Sequence, residues 1–285
     1  MISIARSFGT SFLLAALLGA AVPAGASAPD ADDSADANSA AEMARILQNP
    51  LANISALMTD NDVLFDAGDE ENTSYQFQLQ PVYAFDFPEH GFTFIPRGVT
   101  PIVGASQGAD LPSIGISEDR TWGLGDIVTQ FFFAPHVESS WKFGLGPQLS
   151  WKTHTDSDLR GSDWGAGLAA VVTGGIGENF SMSPMVSNMW SYDGEFSVMS
   201  IQPTVYYNFA FLPGSYIAYN AAITADWKQP SSNTWTLPLG AIVGKTFDIA
   251  GHGLDLSFGG YGNVVRPDNG PKWSLKFGIT WLIPR

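Results

Sequence analysis

Eleven polar side chains stand out by type and spacing: Gln78, Gln80, Arg97, Asp126, Gln130, Gln148, Gln202, Asn220, Asp226, Asp255 and Lys276. They are amides and charges set at alternate positions of otherwise apolar stretches. Lined up on one face, they make a polar path in which Arg97 and Lys276 oppose carboxylates across a constriction and filter solutes. The same residues could instead fill a closed interior by bonding one another, as in small barrels. Both readings stay open.

Catalytic patterns are weaker. Gly104-Ala105-Ser106-Gln107-Gly108 matches the Gly-x-Ser-x-Gly of hydrolases. That motif works on a strand-to-helix elbow, and here it begins a loop between strands. A lipase on the outside of a barrel wall needs a Ser and a His at neighbouring outward positions. His90, His136 and His252 fall in turns and His154 in a loop, none beside such a Ser. Asp156, Asp158 and Asp163 offer oxygens to Ca²⁺ without the 12-residue loop spacing, and read as a solvated loop. Cysteine is absent, which removes disulfides and thiolate ligands. No Gly-rich segment precedes a helix, so no phosphate cradle or cofactor is expected. No basic cluster invites nucleic acid. The expectation is a protein that is not an enzyme.

The elements that must position these residues are strands. In Lys272 to Ile283, Trp273, Leu275, Phe277, Ile279, Trp281 and Ile283 alternate with Lys272, Ser274, Lys276, Gly278, Thr280 and Leu282. A period of 2 sends the two sets to opposite faces. The apolar row has Trp near each end and aliphatic residues between, as on a strand crossing hydrocarbon. The same alternation recurs at about 74–86, 92–103, 123–134, 141–152, 164–174, 179–190, 197–209, 215–227, 234–245 and 253–265. Short returns alternate with longer polar ones, which is the pattern of a transmembrane barrel. An even count then requires one more strand, and 62–68 is assigned to it. Seven of the Trp residues fall at the long-loop ends, with Trp141 and Trp281 at the short-turn ends. The fold expected is all-β: an antiparallel transmembrane β-barrel of about 12 strands with a short N-terminal helix.

Composition agrees. There are 30 Gly, 9 Trp, 8 Tyr and 19 Phe, but only 14% charged residues against roughly 25% in soluble domains. Arg6, the apolar run Phe8 to Val22 and Ala24-Gly25-Ala26 predict a signal peptide over 1–26, so the chain is exported. Cleavage after Ala28 competes but would leave Pro29 directly after the cut. Residues 27–39 are acidic and read as a disordered linker. Ser39 caps a helix over about 40–48, ended by Asn49-Pro50, and 40–59 forms a helical and apolar segment before a barrel over 60–285. Apolar residues there need a partner, and the nearest is the periplasmic mouth. Leu47, Asn49, Pro50 and Leu51 are therefore expected to belong to a plug, with a loose interfacial linker as the alternative.

Several motifs run in a familiar order. They are Leu47-Gln48-Asn49-Pro50, Gln80-Pro81, Gly123-Leu124-Gly125-Asp126 followed by Phe131-Phe132-Phe133-Ala134-Pro135, Gly144-Leu145-Gly146-Pro147, Trp164-Gly165-Ala166-Gly167, Gln202-Pro203 and Gly270-Pro271-x-Trp273. From about Ala40 onward the chain resembles a family of bacterial outer-membrane channels labelled "transporter" or "phenol-degradation meta-pathway" protein, at times mislabelled neuromedin U. The resemblance implies an outer-membrane barrel with a transport role, and supplies no substrate or catalytic residues. The expected function is passive passage of small solutes, with aromatic or modestly apolar compounds taken from the family label alone. Its partners are outer-membrane lipid and the solute. A structural barrel with a closed lumen and a membrane-embedded lipid hydrolase are the competing classes.

Overall fold

The computed structural model describes residues 31–112 and 114–283, with side chains from Ser39 onward. The expected signal peptide lies outside the described residues. The chain divides after Ala35, and all the strands belong to the unit that starts at Asp36. Helix α1 (Ala31–Leu47) begins within the span read as a disordered linker. Alanine, the best helix former, recurs along this segment of the sequence.

Twelve strands follow. The first six are β1 (Ser55–Ala67), β2 (Asn72–Tyr83, resuming as Phe85–Phe87), β3 (Phe92–Ala105), β4 (Thr121–Leu124 and Ile127–Pro135), β5 (Lys142–Trp151) and β6 (Gly165–Ile176). The second six begin with β7 (Phe180–Met182 and Met185–Ser191), β8 (Ser197–Gln202 and Val205–Asn208) and β9 (Ser215–Tyr219 and Ile223–Asp226). The last three are β10 (Trp235–Ile249), β11 (His252–Val265) and β12 (Trp273–Ile283). Each pairs antiparallel with the next, and β1 closes on β12 from Ser55↔Ile283 to Phe65↔Trp273. The result is a closed twelve-stranded barrel.

The first strand starts at Ser55, not near Asp62, so the barrel begins earlier than residue 60. Its outward row is Leu57, Thr59, Asn61, Val63 and Phe65, and the polar residues in mid-row hide the alternation. Asn61 is tolerated on that face because it is covered and bonded. Its Nδ2 donates to the Phe277 carbonyl at 3.3 Å, and Tyr75 Oη donates to its Oδ1 at 2.5 Å. A bonded amide escapes most of the cost of burial in an apolar surrounding.

One rim carries the short turns 88–91, 136–141, 177–179, 209–214 and 250–251, and the other carries the longer loops. We call these the turn end and the loop end. All nine Trp are exposed on the outside, and none lies at mid-height. Between them Leu145, Leu168, Leu239 and Phe258 are each more than half exposed. A belt of large apolar side chains this continuous needs hydrocarbon, not water, around it.

Inward glycines allow the backbones to close. A Cβ at Gly146 would overlap the Phe131 carbonyl oxygen of the neighbouring strand, whereas one at Gly262, which stands opposite the outward Leu239, meets nothing within 4 Å. Gly146→Ala is expected to cost about 1–3 kcal/mol, the range for overpacking. Urea titration of the heat-modifiable folded band on gels checks this. Gly262→Ala should leave the midpoint in place, and equal midpoints for the two variants would contradict the packing argument.

The wall is interrupted on both sides of β9 at mid-strand. Pairing of β9 with β8 lapses between Ile223 and Tyr219, and pairing with β10 lapses between Thr224 and Ala218. Asn220, Ala221 and Ala222 all line the interior, which regular alternation forbids. The Asn220 N–H is satisfied by Tyr261 Oη of β11 at 2.9 Å. The middle of β9 therefore bends inward.

Candidate functional site

The barrel encloses a lumen cavity of about 460 Å³. Of the eleven residues read from sequence as a polar path, ten line it: Gln78, Gln80, Arg97, Asp126, Gln130, Gln148, Gln202, Asn220, Asp255 and Lys276. Asp226 does not, and sits in a small loop-end cavity described below.

The cations do not face carboxylates across the lumen. Their partners stand on the same wall, and the most important were missed. Lys276 Nζ of β12 lies 3.5 Å from Asp60 Oδ1 and 3.4 Å from Asp62 Oδ2 of the adjacent β1. Gln80 of β2 then donates to Asp60 Oδ2 at 3.2 Å and to Gln78 Oε1 at 2.9 Å. Arg97 of β3 donates to Gln80 Oε1 at 2.5 Å. A charge network thus runs over four consecutive strands. Starting the barrel too late left Asp60 and Asp62 in the acidic N-terminal stretch. No alternation marks them, because Thr59 and Asn61 on the opposite face are polar as well.

The wall away from this network is aromatic and soft. Met185, Met189, Tyr206, Tyr216 and Tyr261 line it. Tyr206 and Tyr216 meet edge to face at 5.3 Å. Asp255 is held there by Tyr216 Oη at 2.8 Å and Thr246 Oγ1 at 2.7 Å, so both its oxygens are taken. A lumen with charge on one side and rings and thioethers on the other suits amphiphilic molecules.

The N-terminal segment occupies the turn end. Gln48 and Asn208 exchange reciprocal amide bonds of 2.8 and 3.1 Å. Arg45 Nη2 donates to the Glu178 carbonyl at 2.8 Å, and Ser39 Oγ bonds Asp248. Leu47, Asn49 and Pro50 line the lumen cavity. Leu51 does not; it is buried in the wall among Ala84, Ile95, Phe132, Ala134, Ala169 and Val171. Its Cδ2 lies 2.7 Å from where a Cβ at Gly144 would stand, so that glycine is the socket for Leu51.

The folded chain superposes on an outer-membrane channel from Pseudomonas putida F1 with a TM-score of 0.58, over 81% of this chain and 96% of that one, at 16% identity. The fold is that of an outer-membrane barrel. The NanC porin matches with a TM-score of 0.50 at 8% identity, over 80% of this chain and 100% of the porin. Outer membrane phospholipase A from Escherichia coli matches with a TM-score of 0.46 at 12% identity, over 86% of this chain and 98% of that one. No family profile matches the chain, and no curated relative matches it.

At the loop end, several residues with catalytic or metal-binding promise are instead committed to holding the outer-membrane barrel's loops. Asp126 reaches His154 Nδ1 at 2.7 Å and accepts from the backbone N–H groups of Thr153, His154, Gly161 and Asp163. It staples the 152–164 loop to the wall. Asp156 caps the turn Ser157–Leu159, Asp158 accepts from Asp119 N and Thr121, and Asp163 pairs with Lys152 at 2.9 Å. Ser106 of the Gly-x-Ser-x-Gly match is buried and bonded to Ser74 at 2.8 Å. At the turn end, His136 meets Asp86 and Thr93, an arrangement without a serine.

The 106–120 loop folds inward. Ala109, Leu111 and Ile114 pack with Leu64, Val103 and Leu159, while Pro112 reaches the lumen. Asp110 and Asp226 share the small loop-end cavity with Asn233. Burial first, and then the Asp226 charge, push Asp110 up to about 6. An exposed aspartate titrates near 4, so the packed loop holds this proton more tightly than the open one. Its stability is full below about pH 4 and declines as pH rises to about 6. Amide exchange at Leu111 and Ile114 is expected to be slower at pH 4.5 than at pH 7.5 after correction for intrinsic rates. Asp110→Asn should abolish the difference; an unchanged pH dependence would contradict it.

Proposed function

We propose that this protein is a passive outer-membrane channel whose lumen admits small solutes, and whose N-terminal segment narrows the periplasmic mouth. The observation carrying the reading is the lumen cavity itself, bounded by a polar wall and ended by the seated segment around Leu47, Asn49 and Pro50. Gln78, Gln80, Arg97, Gln130, Gln148, Gln202, Asn220 and Lys276 are the pathway residues in this reading. Asp60 and Asp62 join them as the carboxylates that balance Lys276. Aromatic or modestly apolar solutes fit because a Tyr and Met wall faces the charged one. Asp126, Asp226 and Asp255 act as structural anchors rather than filters.

A sealed-lumen reading draws support from the two closures, Pro112 at the loop end and the N-terminal segment at the turn end. Single-channel recording of the intact protein in planar bilayers separates them. Discrete, small current steps are expected. A silent bilayer with both the intact chain and a chain lacking 39–53 would favour the structural barrel.

A further inference from the structure

Lys276 has two carboxylates, whereas the other lumen cation has none. Among the described residues no carboxylate is ion-paired with Arg97. One Nη bonds the neutral Gln80, and Nε is buried with no partner at all. The side chain lines the lumen. A guanidinium with an open donor on the lumen surface is free to meet a solute, and its planar fork matches a carboxylate.

Its cross-strand neighbour carries a second open atom. Gln130 stands in register with Arg97, and its Oε1 also lacks a partner while its Nε2 donates to Gln148 Oε1 at 3.0 Å. Amide oxygen and nitrogen are nearly the same shape, so both amides can turn together and keep the Gln130–Gln148 bond. Gln130 then presents a donor beside Arg97. The site becomes two donors, one of them charged, opening on a lumen whose far wall is Tyr206, Tyr216 and Met189.

We infer that Arg97 and Gln130 form a carboxylate subsite, and that the preferred solutes are small carboxylates with an aromatic or apolar body. The inference rests on the channel reading above. It names the group recognised, where that reading leaves the solute class broad.

The test is calorimetric titration of the intact protein in detergent micelles with benzoate and with its neutral isostere benzamide. Benzoate is expected to bind about tenfold more tightly, the ratio separating a charge-assisted from a neutral hydrogen bond. Arg97→Gln should erase that preference. Gln80→Glu, which gives Arg97 a carboxylate of its own, should also erase it and keeps the test valid if Arg97→Gln fails to fold. Equal binding of the two probes, binding of neither, or a preference that survives both variants overturns the subsite. Bilayer currents recorded with the same preparation keep the failures apart. Current without a benzoate preference sinks the subsite alone; benzoate binding without current sinks the channel alone.

Discussion

Deleting residues 39–53 is expected to raise single-channel conductance severalfold. The segment they form is not a loose tether. Gln48 and Asn208 satisfy each other's amides, Arg45 holds the 177–179 turn, and Leu51 is buried in the wall. A fully buried leucine contributes about 1.5–3 kcal/mol, and each hydrogen bond about 0.5–1.5 kcal/mol. Together these hold the segment seated most of the time, so its removal is expected to widen the turn-end mouth. Gly144→Val offers a second route to the same result without shortening the chain. Its side chain would take the Leu51 socket and unseat the segment by overpacking. Conductance unchanged by both changes would mean that the segment does not bound the path.

The outer face gives the second large effect. Leu145 is 56% exposed on the outside of β5, near the middle of the apolar belt. Leu145→Arg is expected to destabilise the barrel by about 2–4 kcal/mol, the range for a charge on the lipid face at the midplane. Three residues on, Gln148 is 4% exposed and faces inward, bonded to Gln130. Gln148→Ala should cost about 0.5–1.5 kcal/mol, one hydrogen bond. Folding in lipid vesicles across a denaturant series measures both. Equal midpoints would place the two residues on equivalent surfaces and contradict the strand's orientation.

The period-2 rule carried strand existence well, because hydrocarbon on one side enforces an unbroken apolar row on most strands. It failed where the row is broken. Thr59 and Asn61 face outward at mid-height of β1; Thr59 donates to the Ile279 carbonyl and Asn61 to the Phe277 carbonyl of β12, a strand remote in sequence, while Tyr75 of the adjacent β2 donates to Asn61. The inward bend of β9 left no mark either, since Asn220-Ala221-Ala222 carries neither Gly nor Pro. Alternation likewise placed most polar residues on the lumen side but not their partners. Lys276 and Asp62 are 214 positions apart, and only barrel closure makes them neighbours. Asp126 shows the converse case. It sits on the inner face as expected, yet loop backbone claims its oxygens, and that depends on how residues 152–164 fold back.

Passage of solute through this lumen can be measured directly, because the chain has no native cysteine. Ser200 of β8 lines the lumen, whereas Leu168 of β6 faces out and is 57% exposed. Single cysteines at the two positions would be treated, during bilayer recording, with a charged thiol reagent added from one side. A stepwise fall in current is expected for Ser200→Cys and none for Leu168→Cys. Current that ignores modification at Ser200→Cys, once labelling there is verified by mass, would contradict a path through the barrel.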